Sequence, residues 1–386
     1  MKIAIVLIGY NRLSGIERLV SALEKADYGD DYPTLIFSID KSDSDEVTKY
    51  AEQYTCTFAE KRVRTFSDNQ GLKKHILSCG EFFNEFDELI ILEDDMYVSP
   101  SFYSFAKACG EKYANDENIA GISLYTHLFA IDAGRPFVPM HCGADVYFMK
   151  YAQSWGEVWT KQSWLDFYSW YQQNKGLFDS HPDLPENVCH WSKSSWLKYH
   201  IRYCVEKNKY FVYPYTSLAT CFADVGVHSR VHSAKLQVPL LYGNKKSFDL
   251  IEFCRDDDRC VIYDQYFESE SLRNMKGMAC DVNLYGRRKN CSSRYMITCR
   301  HLNYKVIKSW GLELRPIECN VMYDIPGNDI FLYDMEKPEK DTGASDYTKE
   351  WLYHFRTDGL AFVELKTTSK IIYNKFIARL RTKFIK

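Results

Sequence analysis

Leu89-Ile90-Ile91-Leu92-Glu93-Asp94-Asp95 decides how the rest of the chain is read. Four consecutive large aliphatic residues, with no polar alternation, are what a strand covered on both faces requires, and such strands belong to parallel sheets flanked by helices. The run stops at three acids. Outward from it, residues 71–86 and 99–113 carry helical patterns, and residues 120–125 form another apolar run. Toward the N-terminus the same alternation repeats. Residues 2–8 are a second continuous apolar run, Ile16, Leu19, Val20 and Leu23 fall on one helical face, and residues 34–40 and 57–62 read as further strands. Ser42-Asp43-Ser44-Asp45 predicts a capping box for a helix running to about Thr55. Strands separated by helices predict βαβ units and an α/β, doubly wound sheet. In such sheets ligands sit at the carboxyl ends of the strands, so the polar residues that end them are the first places to look for chemistry.

Composition narrows the classes. The chain has 386 residues, 46% hydrophobic and 26% charged, with a net charge of −3, which gives a globular core and no footprint for nucleic acid. Its 13 cysteines contain no C-x-x-C pair and read as reduced, cytosolic thiols. The opening apolar run is broken by Gly9-Tyr10-Asn11-Arg12 and reads as a strand rather than a secretory leader. No segment approaches the roughly 20 apolar residues of a membrane-spanning helix. Asn290-Cys291-Ser292 matches a glycosylation sequon, a chance match in a cytoplasmic protein. Tryptophans crowd between 150 and 240 (Trp155, Trp159, Trp164, Trp170, Trp191, Trp196), and Gly243-Asn244-Lys245-Lys246 marks a boundary. The expected organisation is a catalytic region over 1–240, an accessory region over 241–366 with strand-like runs at 294–299 and 329–333, and a tail over 367–386.

Three acids at the end of a buried strand repel one another and raise each other's pKa unless a cation arrives. Mg²⁺ and Mn²⁺ take hard oxygen ligands and leave room for phosphate oxygens, and such an ion would neutralise charge on a departing nucleotide. Glu93-Asp94-Asp95 is therefore read as a metal site; the alternative is a solvated loop capping the next helix. Gly9 permits a tight turn after the first strand, and Arg12 can pair with a phosphate. Asp40 ends the second strand, placed either to accept from a base or ribose group or to cap a helix. Asn69-Gln70-Gly71-Leu72-Lys73-Lys74 leads into a helix, where Gly71 and Lys74 could approach a diphosphate.

The order G-Y-N-R, then S-I-D, then L-E-D-D-M-Y-V-S-P-S-F-Y resembles the GT-A glycosyltransferases, and is similar to the N-acetylglucosaminyltransferase I type and to bacterial polysaccharide glycosyltransferases of capsule and O-antigen kind. The resemblance covers roughly residues 1–235. It implies a GT-A fold, a Rossmann-like doubly wound mixed sheet, here with a C-terminal α+β extension. It places Asn11 and Arg12 near the phosphates and Asp40 on uracil. Asp95 would bind Mn²⁺ or Mg²⁺, while Glu93 and Asp94 serve the donor sugar. Ser154-Trp155-Gly156-Glu157-Val158-Trp159 resembles the segment shaping the sugar pocket, assigning Trp155 and Gly156 to the donor sugar. On a helix Trp155 and Trp159 would share a face. Gly226-Val227-His228-Ser229 resembles a loop closing over the donor, which brings His228 to the metal or the diphosphate; the alternative is a structural histidine hydrogen-bonded within the loop.

One departure stands out. The family's base is an Asp just before a Trp, and the matching Ser192-Lys193-Ser194-Ser195-Trp196 has Ser195 there; a hydroxyl is no general base unaided. Asp183, Glu186 and Asp224 are the nearby candidates. In the tail, Ile372, Phe376, Leu380 and Phe384 recur every four residues among Lys370, Lys375, Arg379, Arg381, Lys383 and Lys386, the pattern either of a helix lying on an anionic membrane or of one docked on the protein. The sequence reading is a cytoplasmic enzyme, peripheral on the membrane's inner face if that tail lies on the membrane rather than on the protein. It would move a sugar from a UDP-sugar to a saccharide or lipid-linked acceptor in polysaccharide biosynthesis, with inversion implied only by the resemblance. A sugar-nucleotide pyrophosphorylase fits less well, since those begin with a Gly-rich basic loop. An inactive nucleotide- or glycan-binding relative is kept open by Ser195.

Overall fold

Strand β1 (Ile3–Gly9) is buried along its whole length, as its unbroken apolar run requires. Helix α1 (Leu13–Leu23) follows, burying Ile16, Leu19, Val20 and Leu23. Then come β2 (Thr34–Ile39), α2 (Glu46–Gln53), β3 (Glu60–Thr65), α3 (Gly71–Ser78) and β4 (Glu88–Glu93). β1 pairs in parallel with β2 and β4, and β2 with β3. In the computed structural model, residues 1–222, 236–275, 277–341, 343, 347–355, 365–370, 372–374 and 377 are described. They belong to two compact units, Met1–Thr342 and Gly343–Lys386.

The larger unit continues through β5 (Met96–Val98), α4 (Phe102–Tyr113), β6 (Ile119–Ser123), the short hairpin β7 (Phe129–Ala130) and β8 (Arg135–Pro136), β9 (Val146–Met149) and β10 (Glu157–Thr160). After these come α5 (Lys161–Asn174), α6 (Glu186–Cys189), α7 (Leu197–Glu206), β11 (Tyr210–Pro214), β12 (Ala219–Cys221) and β13 (Ile262–Tyr263). Nine strands make one mixed sheet in the order β13-β9-β11-β6-β10-β4-β1-β2-β3. β10 lies antiparallel between β4 and β6, and β11 is parallel to β6. This is the α/β, parallel-rich mixed sheet expected. Past β13, strands β14 (Asn274–Met275), β15 (Met278–Val282), β16 (Tyr295–Thr298) and β17 (Tyr304–Trp310), helix α8 (Cys319–Met322) and strand β18 (Ile330–Pro338) build a five-stranded sheet in the order β14-β15-β16-β18-β17. The smaller unit holds a helix at Tyr347–His354.

Three local readings are corrected. The helix expected over 71–86 ends at Ser78 and gives way to a 3₁₀ turn over Cys79–Asn84. Gly80 is a poor helix former and lies so close to the Trp164 indole that no Cβ would fit. Asp45 is the N-cap of α2 without a side-chain capping bond; Ser44 Oγ instead accepts from Glu46 N at 3.3 Å, so no capping box forms. Trp155 and Trp159 share no helix, because Trp159 lies in β10, fully buried against Trp164, Trp196 and His200.

Candidate active site

The acidic triplet sits where β4 leaves the middle of the large sheet, held from two sides. The ribbon formed by β5 and β12 pairs Met96 with Cys221 and Val98 with Ala219, and Phe222 N donates to Asp95 O at 2.6 Å. From the other side α1 presses on the turn. Gly15 is so near the Asp94 carbonyl that an added Cβ would overlap it, which explains a glycine inside a helix. Arg12, one turn earlier, forms an ion pair with Asp94 and lies 3.9 Å from Asp95. Arg18, one turn later, stacks 3.8 Å over the Phe222 ring, and its charge favours ionised Asp95. Residues 12, 15 and 18 thus form one stripe facing the acids. Arg18 and Phe222 were missed from sequence, although the three-residue spacing Arg12, Gly15, Arg18 is a legible helix-face signal.

The electrostatics are those of an anionic site short of positive charge. Asp94 is buried and Glu93 and Asp95 are half-buried. Withdrawal from water, then the charges of Asp95 and Asp94, hold the Glu93 carboxyl well above the usual range. Withdrawal from water pushes Asp95 up to about 6 against the pull of Arg12. Asp95 Oδ1 is buried with no hydrogen-bond partner among the described residues. Glu157 is fully buried in β10, where withdrawal from water holds its carboxyl well above the usual range although it accepts from Trp159 Nε1 at 2.5 Å. Among the described residues no group of three His, Cys, Asp or Glu side chains is arranged around a common ion position. Mg²⁺ is commonly held by one or two carboxylates plus water and phosphate oxygens rather than an all-protein cage. A buried, partnerless carboxylate oxygen in an all-oxygen donor set fits that manner of binding.

Asp40 is occupied differently from its expected role on a base. It is buried, and Oδ1 accepts from Lys41 N and Gln70 N at 2.9 and 2.8 Å while Oδ2 accepts from Gly71 N at 2.9 Å. Its carboxylate therefore anchors the start of α3, not the α2 that follows it in sequence. Asp40 N also donates to Gly9 O, which ties the carboxyl ends of β1 and β2 together. Asn11 and Lys74 are exposed, and Gly71 has φ +69°, a conformation that suits glycine. Beside them Ser38 Oγ meets His75 Nε2 at 2.6 Å and accepts from Arg64 at 2.8 Å.

Trp155 packs at the rim of the core with its ring 4.8 Å from Tyr125. Gly156 has φ +81°, and a Cβ there would meet Leu124 and Ala219 at 2.9 and 3.1 Å, so it joins β6, β10 and β12 closely. Asp183 and Glu186 both meet the stretch 289–290. Asp183 accepts from Asn290 Nδ2 at 2.9 Å, and exposed Glu186 pairs with Lys289 at 3.2 Å at a pocket also lined by His181, His190, Tyr266 and Arg287. Ser195 lies at the start of α7, where its Oγ accepts from Lys198 N at 3.4 Å, next to buried Trp196. Asp224 and His228 lie outside the described residues.

No family model and no curated protein matches the chain. Among solved structures, S. aureus TarS 1-349 is 13% identical, with 57% of this chain and 60% of that one covered at a TM-score of 0.36. The mannosyltransferase PcManGT from Pyrobaculum calidifontis, in complex with GDP-Man and Mn²⁺, is 11% identical over 49% and 50% at 0.31. GalNAc-T7 with UDP, GalNAc and Mn²⁺ is 13% identical over 56% and 42% at 0.39. The matches span less than two thirds of these chains, and superpositions this loose carry no argument, so the functional reading rests on the residues above.

Proposed function

We propose that the chain is a metal-dependent glycosyltransferase that binds a nucleotide-sugar, a UDP-sugar in the first instance, along the carboxyl edge of β1, β2 and β4. The observation that carries the reading is Asp95 Oδ1, buried and partnerless among the described residues at the end of the central strand, with Arg12 and Arg18 beside it. A bound Mn²⁺ or Mg²⁺ would supply charge neutralisation to the leaving diphosphate. Asp95 would hold it and Glu93 and Asp94 would serve the donor sugar. Arg12, at present paired with Asp94, would turn to a phosphate. Asn11 and Lys74, exposed on the same edge, would add contacts, with His228 joining from 223–235. Asp40 would act on the nucleotide by fixing the Gln70–Gly71 backbone rather than through its own oxygens.

In the reaction the bond from the anomeric carbon to the diphosphate oxygen breaks and a bond to an acceptor hydroxyl oxygen forms, with inversion. A base takes the hydroxyl proton; Asp183, Glu186 and Asp224 are the candidates. The acceptor would be a saccharide, free or lipid-linked, at a cytoplasmic membrane face. Among the described residues no helix is long and apolar enough to cross a membrane. The experiment is UDP release from UDP-sugars with saccharide acceptors, in Mn²⁺ and in EDTA, for the parent, Asp95→Asn and the amide variants of the three candidate bases. Loss of the base should slow turnover ~10²–10⁴-fold with donor affinity retained. A second reading, a nucleotide-sugar-binding protein without turnover, is favoured by Ser195 in the position of the family's base, and Mn²⁺-dependent UDP binding without release under any acceptor would establish it.

A further inference from the structure

The loop that leads into β13 brings two cysteines together. Cys254 is exposed and Cys260 half-buried, and both are free thiols. Cys254 N donates to Cys260 Sγ at 3.3 Å, so that sulfur lies within about 4.8 Å of Cys254 Cα, one bond further on. A disulfide needs Cα atoms no more than about 7 Å apart and side chains that converge. Cys260 Sγ already converges on the backbone of Cys254, whose own side chain is exposed and turns without leaving a packed site.

The approach is held from both flanks. Phe253, just before the first cysteine, packs its ring 5.2 Å from Phe148 and 4.8 Å from Tyr210. Val261, just after the second, accepts from Phe148 N at 2.9 Å. Both ends of the loop are thus fastened to the same residue of β9. Within the loop, Asp257 N donates to Cys254 O at 3.4 Å and Cys260 N donates to Asp257 O at 2.8 Å. Arg255 donates to the Tyr210 hydroxyl at 2.7 Å, and Arg259 pairs with Asp249 at 2.8 Å. Cys142 is the other thiol near enough to act on Cys260, but its Sγ lies 3.8 Å from the Tyr215 hydroxyl. The fold therefore favours Cys254 over Cys142 as the partner of Cys260.

We propose that Cys254 and Cys260 are a reversible redox pair, which closes the 254–260 loop with a disulfide by exchange with a small-molecule disulfide of the glutathione class. Burial pushes the Cys260 thiol up to about 11, so the first attack falls to exposed Cys254. The Cys254 thiolate attacks one sulfur of the small disulfide, whose S–S bond breaks, and one small thiolate leaves and takes a proton. Cys260 then gives its proton to water and attacks Cys254 Sγ. The loop's S–S bond forms as the second small thiolate leaves. Two protein thiols are oxidised and one small disulfide is reduced to two thiols. The proposal goes beyond the nucleotide-sugar reading and does not depend on it.

The test is incubation of the folded full chain in mixtures of reduced and oxidised glutathione, followed by alkylation of the remaining thiols and peptide mass mapping without reductant. The peptides carrying Cys254 and Cys260 should be joined to each other, and dithiothreitol should return both as thiols. At constant reduced glutathione, a tenfold rise in oxidised glutathione should raise the ratio of bridged to open loop about tenfold, as the exchange stoichiometry requires. Cys260→Ser should stop after the first step, with glutathione retained on Cys254. Should that variant fail to fold, the map of the parent decides. A parent that keeps glutathione on Cys254, either cysteine joined to Cys142 or to another thiol, bridging that appears only in urea, or two thiols unchanged at every ratio would each overturn the proposal. The readout is the bond itself, so it stands or falls whether or not a nucleotide-sugar binds.

Discussion

At the scale of single residues, Asp95 sets the pH behaviour of the site. Its carboxyl is pushed up from 3.8 to about 6, chiefly by withdrawal from water. An acid whose pKa is higher folded than unfolded binds more protons in the folded state, so stability falls as pH rises between those values. Without a divalent cation, Asp95 should therefore cost stability progressively from pH 3.8 to about 6, and Asp95→Asn should remove that share of the slope. A cation competes with the proton for the same oxygens. Mn²⁺ affinity, followed by calorimetry, should rise by up to about tenfold per pH unit below about 6 and level off above it. A flat profile across that window would place the metal elsewhere.

At the scale of elements, two helices fix the site and each can be tested alone. Asp40 fastens the N-terminus of α3 with hydrogen bonds from Gln70 N and Gly71 N. Hydrogen bonds to a charged group contribute about 1.5–3 kcal/mol, so Asp40→Ala should lower urea-denaturation stability by that order, with UDP affinity falling as α3 loosens. A loss of UDP affinity at full stability would restore a direct contact with the base. Gly15 is the point where α1 touches Asp94. Gly15→Ala would gain helix propensity but must push α1 off the triplet, and overpacking of this kind costs about 1–3 kcal/mol. The variant should be less stable and should bind UDP–Mn²⁺ more weakly; a more stable variant with normal binding would mean that the contact is soft. Elements with continuous apolar runs or a clear helical face were readable from sequence. β1, β2, β4 and α4 lie within about three residues of expectation, and α1 buries the face expected of it; for the strands, burial on both faces leaves little choice of residue. The stretch from 124 to 160 was not readable. β7, β8, β9 and β10 are two to four residues long, and a strand that short carries too few alternations to show a period. The partner of Asp40 was hidden for a different reason: the carboxylate skips its neighbouring helix and bonds a backbone thirty residues on.

At the scale of the whole molecule, the residues that follow β13 are held to one another through buried charge. Asp264 is fully buried, with Arg288 and Arg273 as ion-pair partners, and Arg288 also lies 3.9 Å from buried Glu268. Breaking a buried pair by removing one partner leaves an uncompensated charge, at about 3–5 kcal/mol. Arg288→Met should lower the urea midpoint accordingly and leave UDP binding measurable in the folded fraction; an unchanged midpoint would mean that Arg273 suffices. The acids at the end of β4 were legible because charge after a buried run is conspicuous, whereas their setting, the Arg12, Gly15 and Arg18 stripe and the β5–β12 ribbon, depends on pairings that only the folded chain reveals. The most direct measurement is calorimetric titration of UDP into the full chain and into Asp95→Asn, each with Mn²⁺ and with EDTA. UDP should bind the parent in Mn²⁺, weakly or not at all in EDTA, and Asp95→Asn should bind in Mn²⁺ no better than the parent does in EDTA. UDP binding of equal strength in all four titrations, or in none, would contradict a metal-dependent nucleotide site at the acidic triplet.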